Sequence, residues 1–67
     1  MPSHDYLVSI ISELSRNFDA FERNFQLYLR DPSSDKLQET LDALSSFRSN
    51  LVALNRWNLS VLEDVFH

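Results

Sequence analysis

The sequence predicts an all-α protein that folds as an antiparallel two-helix hairpin. Its 67 residues contain no glycine and only two prolines, so backbone breaks are confined to Pro2 and the segment 31–35. Long apolar stripes with helical spacing lie on both sides of that segment. We therefore expect one domain spanning 1–67, with a helix at about 4–30, a turn at 31–35 and a second helix at about 36–66.

The first predicted helix carries an apolar stripe in which steps of four and three residues alternate. The stripe contains Leu7, Ile11, Leu14, Phe18, Phe21, Phe25 and Tyr28. The triplet Arg16-Asn17-Phe18 returns seven residues later as Arg23-Asn24-Phe25. Because the arginines fall on the face opposite the stripe, the pattern indicates a packed helix rather than an aromatic platform for nucleic-acid bases.

Pro32 ends the first helix, since proline disfavours helical geometry in the residue before it. Asp35 with Gln38 fits a capping box for the second helix, and Asp31 followed by Pro32 is an alternative start. The stripe of the second helix contains Leu37, Leu41, Leu44, Phe47, Leu51, Leu54, Asn58, Val61 and Val65. If the chain reverses at the turn, facing residue numbers sum to about 66, and apolar residues face each other along most of both helices.

The end of the hairpin away from the turn has more apolar side chains than one partner helix covers. We predict a partner-binding surface there, formed by Tyr6, Leu7, Val8, Ile10, Ile11, Trp57, Leu59, Val61, Leu62, Val65 and Phe66. Either a second copy closes a four-helix bundle on this surface, or a helix of a different protein binds it. The sequence leaves both open.

Asn58 occupies a stripe position where an aliphatic residue would stabilise packing more. A buried asparagine at such a position fixes the register of a coiled coil. Alternatively, the helix rotates slightly, so that Asn55 and Asn58 face solvent while Trp57 and Leu62 make the contact.

Composition argues against several classes of function. The formal charge of −4 disfavours nucleic acid and anionic lipid. No apolar run is long enough to cross a bilayer, and no signal peptide is evident, so we expect a cytoplasmic protein. Without cysteine, and with only His4 and His67, no metal or cofactor site is predicted. Carboxylates and serines lack a catalytic arrangement, so we expect no enzyme. A chain this short gains stability from a second chain.

The segment LRDPSSDKLQETLDALSSF resembles the small helical hairpins of type III secretion. The residues that carry the resemblance are Asp31, Pro32 and Ser33 of the turn, then Leu37, Leu44, Ser45, Ser46 and Phe47, with a later similarity at 61–65. Two groups of that system fit: needle subunits, which assemble with themselves, and needle-protein chaperones, which keep a subunit monomeric. Asp35 in place of a second proline, the presence of Trp57, the chain length and the acidity favour a chaperone.

The sequence therefore predicts a non-catalytic protein-binding module that covers an apolar helix of its client. Two alternatives remain: a homodimeric four-helix-bundle regulator that binds RNA, and a self-assembling structural subunit of the needle type. The RNA-binding alternative depends on the line of Arg16, Arg23 and Arg30, which is interrupted by Asp19 and Glu22.

Overall fold

The chain is an antiparallel pair of helices, as predicted. The computed structural model describes the backbone of residues 4–66 and the side chains of residues 4–63. Helix α1 spans His4–Arg30 and helix α2 spans Ser34–Phe66. The molecule is a rod with principal extents of 53 × 16 × 12 Å. It is therefore two helices thick in one direction and one helix thick in the other.

The turn is formed by three residues between the helices. The amide of Asp31 still donates to the carbonyl of Leu27 at 3.1 Å, and Pro32 then stops α1. Ser33 caps α2: its Oγ accepts from the Lys36 amide at 3.2 Å, and its carbonyl accepts from the Leu37 amide at 3.0 Å. Helix α2 thus begins at Ser34, earlier than expected, and the first helical turn includes Asp35 instead of being capped by it.

One ion pair closes the turn from outside. The Lys36 ammonium donates to Asp31 Oδ2 at 2.9 Å. That hydrogen bond, helped by the positive charge, lowers the pKa of the Asp31 carboxyl below its ordinary value. Because Asp31 is largely exposed to solvent, the pair orders the turn without adding much stability.

The alignment of the two helices agrees with the prediction. The rings of Phe18 and Phe47 lie 5.4 Å apart, as expected for facing residues whose numbers sum to about 66. The Asn17–Asn50 hydrogen bond fixes the same alignment independently. The chain therefore reverses at the turn without a shift in register.

The rotation of each helix about its axis differs from the prediction. The side chains turned toward the other helix form an inner seam with its own alternation of three and four residues. On α1 the inner seam contains Leu7, Ile10, Leu14, Asn17, Phe21, Asn24 and Tyr28; on α2 it contains Lys36, Thr40, Ala43, Phe47, Asn50, Leu54, Trp57 and Val61. Only part of each predicted stripe belongs to this inner seam. The shared residues are Leu7, Leu14, Phe21 and Tyr28 of α1 and Phe47, Leu54 and Val61 of α2. Ile11 and Phe25 are half-exposed, as are Leu37, Leu41, Leu44 and Leu51, so the prediction that they fill the space between the helices was wrong. Phe18 packs against Phe47 as predicted, but it too remains half-exposed.

The inner seam is a poor hydrophobic core. Among the described side chains three are buried, and only one of these is apolar: Ile10 is 5% exposed, whereas Thr40 and Asn50 are 3% and 7% exposed. Since apolar burial is the main favourable term in folding, the hairpin obtains little of it from its own two helices. Most of the large apolar side chains between residues 4 and 63 remain in contact with water.

Candidate protein-binding surface

One side of the hairpin carries a continuous row of large apolar side chains, which we name the apolar flank. It consists of Ile11, Phe18 and Phe25 from α1 and Leu37, Leu44 and Leu51 from α2. Their exposed fractions lie between 39% and 48%. The flank contains no charged residue. Exposed apolar surface of this length is characteristic of an interaction site.

Helix geometry places both halves of the flank on the same side. Each flank residue directly follows an inner-seam residue, as Phe18 follows Asn17 and Leu51 follows Asn50. One residue turns a helix by 100°, so each flank residue points sideways from the seam. Because α1 and α2 are antiparallel, this 100° rotation makes the flank residues of both helices point to the same side of the hairpin.

Two aromatic contacts anchor the α1 half of the flank to the inner seam. Phe18 packs against Phe47 of α2 with an angle of 44° between the rings. Phe25 stacks on Phe21, one turn earlier in α1, at 5.9 Å and nearly parallel. These contacts hold each flank ring against the inner seam, while both rings remain about 40% exposed.

The repeated Arg-Asn-Phe triplet now has a structural explanation. In both copies, the arginine lies on the exposed polar side, the asparagine in the inner seam and the phenylalanine on the apolar flank. The three residues of the triplet therefore lie on three different faces of α1, and the same three faces are occupied again seven residues later.

Asparagines bridge the two helices within the inner seam. Asn17 Nδ2 donates to Asn50 Oδ1 at 2.6 Å, and Asn50 Nδ2 donates to Glu13 Oε2 at 3.3 Å. Nearer the turn, Asn24 Nδ2 reaches the carbonyl of Glu39 at 3.5 Å. The prediction of a register-setting asparagine considered Asn58 and missed Asn17 and Asn50. Their placement at the same three-and-four spacing as the apolar seam residues was the available signal.

A shallow depression lies at the end of the flank away from the turn. It has a volume of about 400 Å³ and is lined by Leu51, Leu54, Asn55, Trp57 and Asn58. The Trp57 indole Nε1 is shielded from solvent and has no hydrogen-bond acceptor within the described part of the chain. A shielded indole N–H normally has an acceptor, so the unpaired donor of Trp57 is an unfavourable feature of the hairpin.

The residues predicted to bind a partner are distributed over several environments. Ile10 is buried between the helices, and Leu7, Trp57 and Val61 are half-buried in the inner seam. Tyr6, Val8, Ile11, Leu59 and Leu62 are exposed. The side chains of Val65 and Phe66 lie outside the described residues.

Exposed apolar side chains also occur near the turn, where the sequence led us to expect fewer of them. Leu27, Leu29, Leu37, Leu41 and Leu44 are all exposed there. Asn58 is exposed and continues the α2 line of the flank beyond Leu51, and Asn55 is exposed beside it. The candidate surface therefore runs from the Trp57 depression almost to the turn.

Neither α1 nor α2, over residues 4–66, has a segment long and apolar enough to span a membrane. Comparison of the chain with protein-family models, with curated proteins and with solved structures found no match.

Proposed function

We propose that this protein is a non-catalytic binding module whose apolar flank covers an apolar helical surface on a second polypeptide chain, either a different protein or another copy of itself. The observation that carries the proposal is the apolar flank itself: six large apolar side chains in one row, each half-exposed, with no charge among them. Burying such side chains contributes roughly 25 cal/mol for each Å² removed from water, so a matching apolar face gains binding free energy along the whole rod.

The width of the apolar surface supports a helical partner. A two-helix coiled coil needs two apolar positions in every seven, whereas a helix inside a bundle needs three. Here the inner seam uses two positions in each heptad, some of them filled by Asn17, Asn24 and Asn50, and the flank adds a third, apolar position on both helices. The partner that completes this pattern is one or two further helices laid along the flank.

The resemblance to type III secretion hairpins suggests a biological form for this binding. A chaperone of that kind would cover the apolar helix of a needle subunit in the cytoplasm and prevent premature assembly. The resemblance is carried by the turn and the leucine-rich start of α2, including Asp31, Pro32, Ser33, Leu37 and Leu44. This assignment stays a prediction, and binding through the flank does not depend on it.

Photo-crosslinking tests the proposal in the cells that make the protein. A photoreactive phenylalanine analogue replaces Phe18 on the flank in one variant and Val52 in a matched control. Val52 is as exposed as the neighbouring Leu51, at 46% and 45%, but points away from the flank. We expect a discrete crosslinked protein from position 18 and none from position 52.

The crosslinked polypeptide is then purified and titrated against this protein in a calorimeter. Leu44→Gln on the flank should weaken binding at least tenfold, because the glutamine must lose water to enter an apolar interface. Equal crosslinking from both positions, or binding that Leu44→Gln leaves unchanged, would contradict the proposed function.

A further inference from the structure

The surface area of the hairpin is the first of three observations that identify its partner. A compact monomer of its mass, 7.9 kDa, exposes about 4,400 Å². The hairpin exposes 5210 Å². The rod therefore exposes more surface than a compact chain of its mass, and a second chain laid along it would reduce that exposure.

The second observation is that the two halves of the flank interdigitate. With Phe18 opposite Phe47, the levels of the flank residues along the rod can be read from the antiparallel alignment. From the open end they follow in the order Ile11, Leu51, Phe18, Leu44, Phe25 and Leu37. Residues of α1 and α2 thus alternate every three or four residues, or about 5 Å. A copy that sets its α2 against α1 therefore places Leu51 and Leu44 each between two flank residues of the facing helix, and Leu37 just beyond Phe25.

The third observation is the charge on the outer margins of the flank. Facing away from the inner seam, the margin of α1 contains Val8, Ser15, Glu22 and Leu29, and that of α2 contains Leu41, Arg48, Asn55 and Leu62. Each margin has a single charge, and the two charges have opposite signs. A twofold axis parallel to the helices sets the α1 margin of one copy beside the α2 margin of the other.

In that arrangement Glu22 comes within reach of Arg48 of the partner subunit. The two residues differ in level by about five residues, or about 7.5 Å along the axis. Helical side chains lean toward the N-terminus of their own helix, and α1 and α2 run in opposite directions, so the two side chains lean toward each other. In the alternative arrangement the twofold axis is perpendicular to the helices and α1 lies against α1 of the second copy. Glu22 then faces another α1 margin, which contains no basic residue.

Resting on the proposed function, we infer that the apolar flank binds a second copy of this chain, forming a twofold-symmetric four-helix bundle with both turns at the same end. The two flanks become the centre of the bundle.

Sedimentation equilibrium of the purified full chain tests the inference. We expect a dimer at micromolar concentration. Leu51→Gln should raise the dissociation constant at least a hundredfold, because symmetry places the substitution in the interface twice. The matched control Val52→Gln should leave the dimer intact, and the circular dichroism of both variants reports whether the helices still form.

Charge reversal tests the arrangement of the two copies. Glu22→Arg alone and Arg48→Glu alone each place like charges together and should weaken the dimer several-fold at low salt. The combination of both reversals should restore it. A dimer that Leu51→Gln disrupts but that shows no rescue in the double reversal would contradict the parallel twofold arrangement.

The two proposals fail in different ways. A monomer at all concentrations that still crosslinks another protein from position 18 would overturn this inference and leave the proposed function standing. A dimer that is equally sensitive to Leu51→Gln and Val52→Gln would overturn the assignment of the interface to the flank, and therefore both proposals.

Discussion

Asn50 lies almost fully buried in the inner seam, at a position where a leucine would remove more apolar surface from water. Its amide accepts from Asn17 and donates to Glu13, so both ends are satisfied. A slide of one helix by a single turn would break both bonds and leave the amide buried without a partner, which costs about 1–3 kcal/mol. The Asn17–Asn50 pair therefore selects one alignment, at the expense of apolar burial.

Replacing this pair with leucines should stabilise the hairpin. We expect the double variant Asn17→Leu/Asn50→Leu to raise the free energy of unfolding by about 2 kcal/mol, since both polar groups are removed together. Asn50→Leu alone should gain less than half of that, because it leaves the Asn17 amide without its acceptor. Urea denaturation of all variants at one protein concentration measures the difference.

Gln26→Leu is the control for the asparagine pair, because Gln26 is exposed on the outside of α1. It should change the free energy of unfolding by less than about 0.5 kcal/mol. If the double variant proves less stable than the natural sequence, the pair contributes net stability instead of reducing it, and its role in selecting the alignment loses its support.

At the scale of the helices, the sequence predicts the elements and their alignment but not their rotation. Glycine-free segments around Pro32 were sufficient for the two helices, and the facing positions of Phe18 and Phe47 followed from the reversal. The spacing of apolar residues identifies a stripe about two positions wide on each helix, and only one of those positions also belongs to the inner seam. The spacing does not show that polar residues complete the seam, because burial against a partner produces the same apolar pattern. Asn17 and Asn50 therefore escaped prediction, whereas Leu14 and Leu54 did not.

The start of α2 provides a prediction at the same scale. Ser33→Ala removes the oxygen that accepts from the Lys36 amide, so it should destabilise the protein by about 1 kcal/mol. Asp35→Ala should have a smaller effect, because Asp35 lies within the first turn of α2 and acts only through the helix dipole. Thermal denaturation at fixed protein concentration compares the two. A larger loss of stability for Asp35→Ala than for Ser33→Ala would indicate that Asp35 caps α2, as the sequence suggested.

At the scale of the whole molecule, the residues that align the two helices differ from the residues whose burial would stabilise the protein. The polar contacts of the inner seam align α1 and α2, while most of the large apolar side chains lie outside that seam. A chain this short buries a limited share of its apolar surface even when compact. The stability that the two helices do not supply must then come from the surface that covers the flank.

That separation makes the stability of the protein depend on its concentration. If unfolding is coupled to dissociation of a dimer, each tenfold increase in total protein should raise the midpoint of thermal unfolding by about 5 °C, estimated from the entropy of unfolding of two such chains. Circular dichroism follows the helices, and the fluorescence of Trp57, the single tryptophan, follows the end of the flank. Leu51→Gln should abolish the concentration dependence and lower the midpoint, whereas Val52→Gln should preserve both. A midpoint that is independent of concentration in the natural sequence, with Trp57 fluorescing as a buried indole in a sedimenting monomer, would mean that two helices are sufficient and that the exposed flank adds nothing to stability.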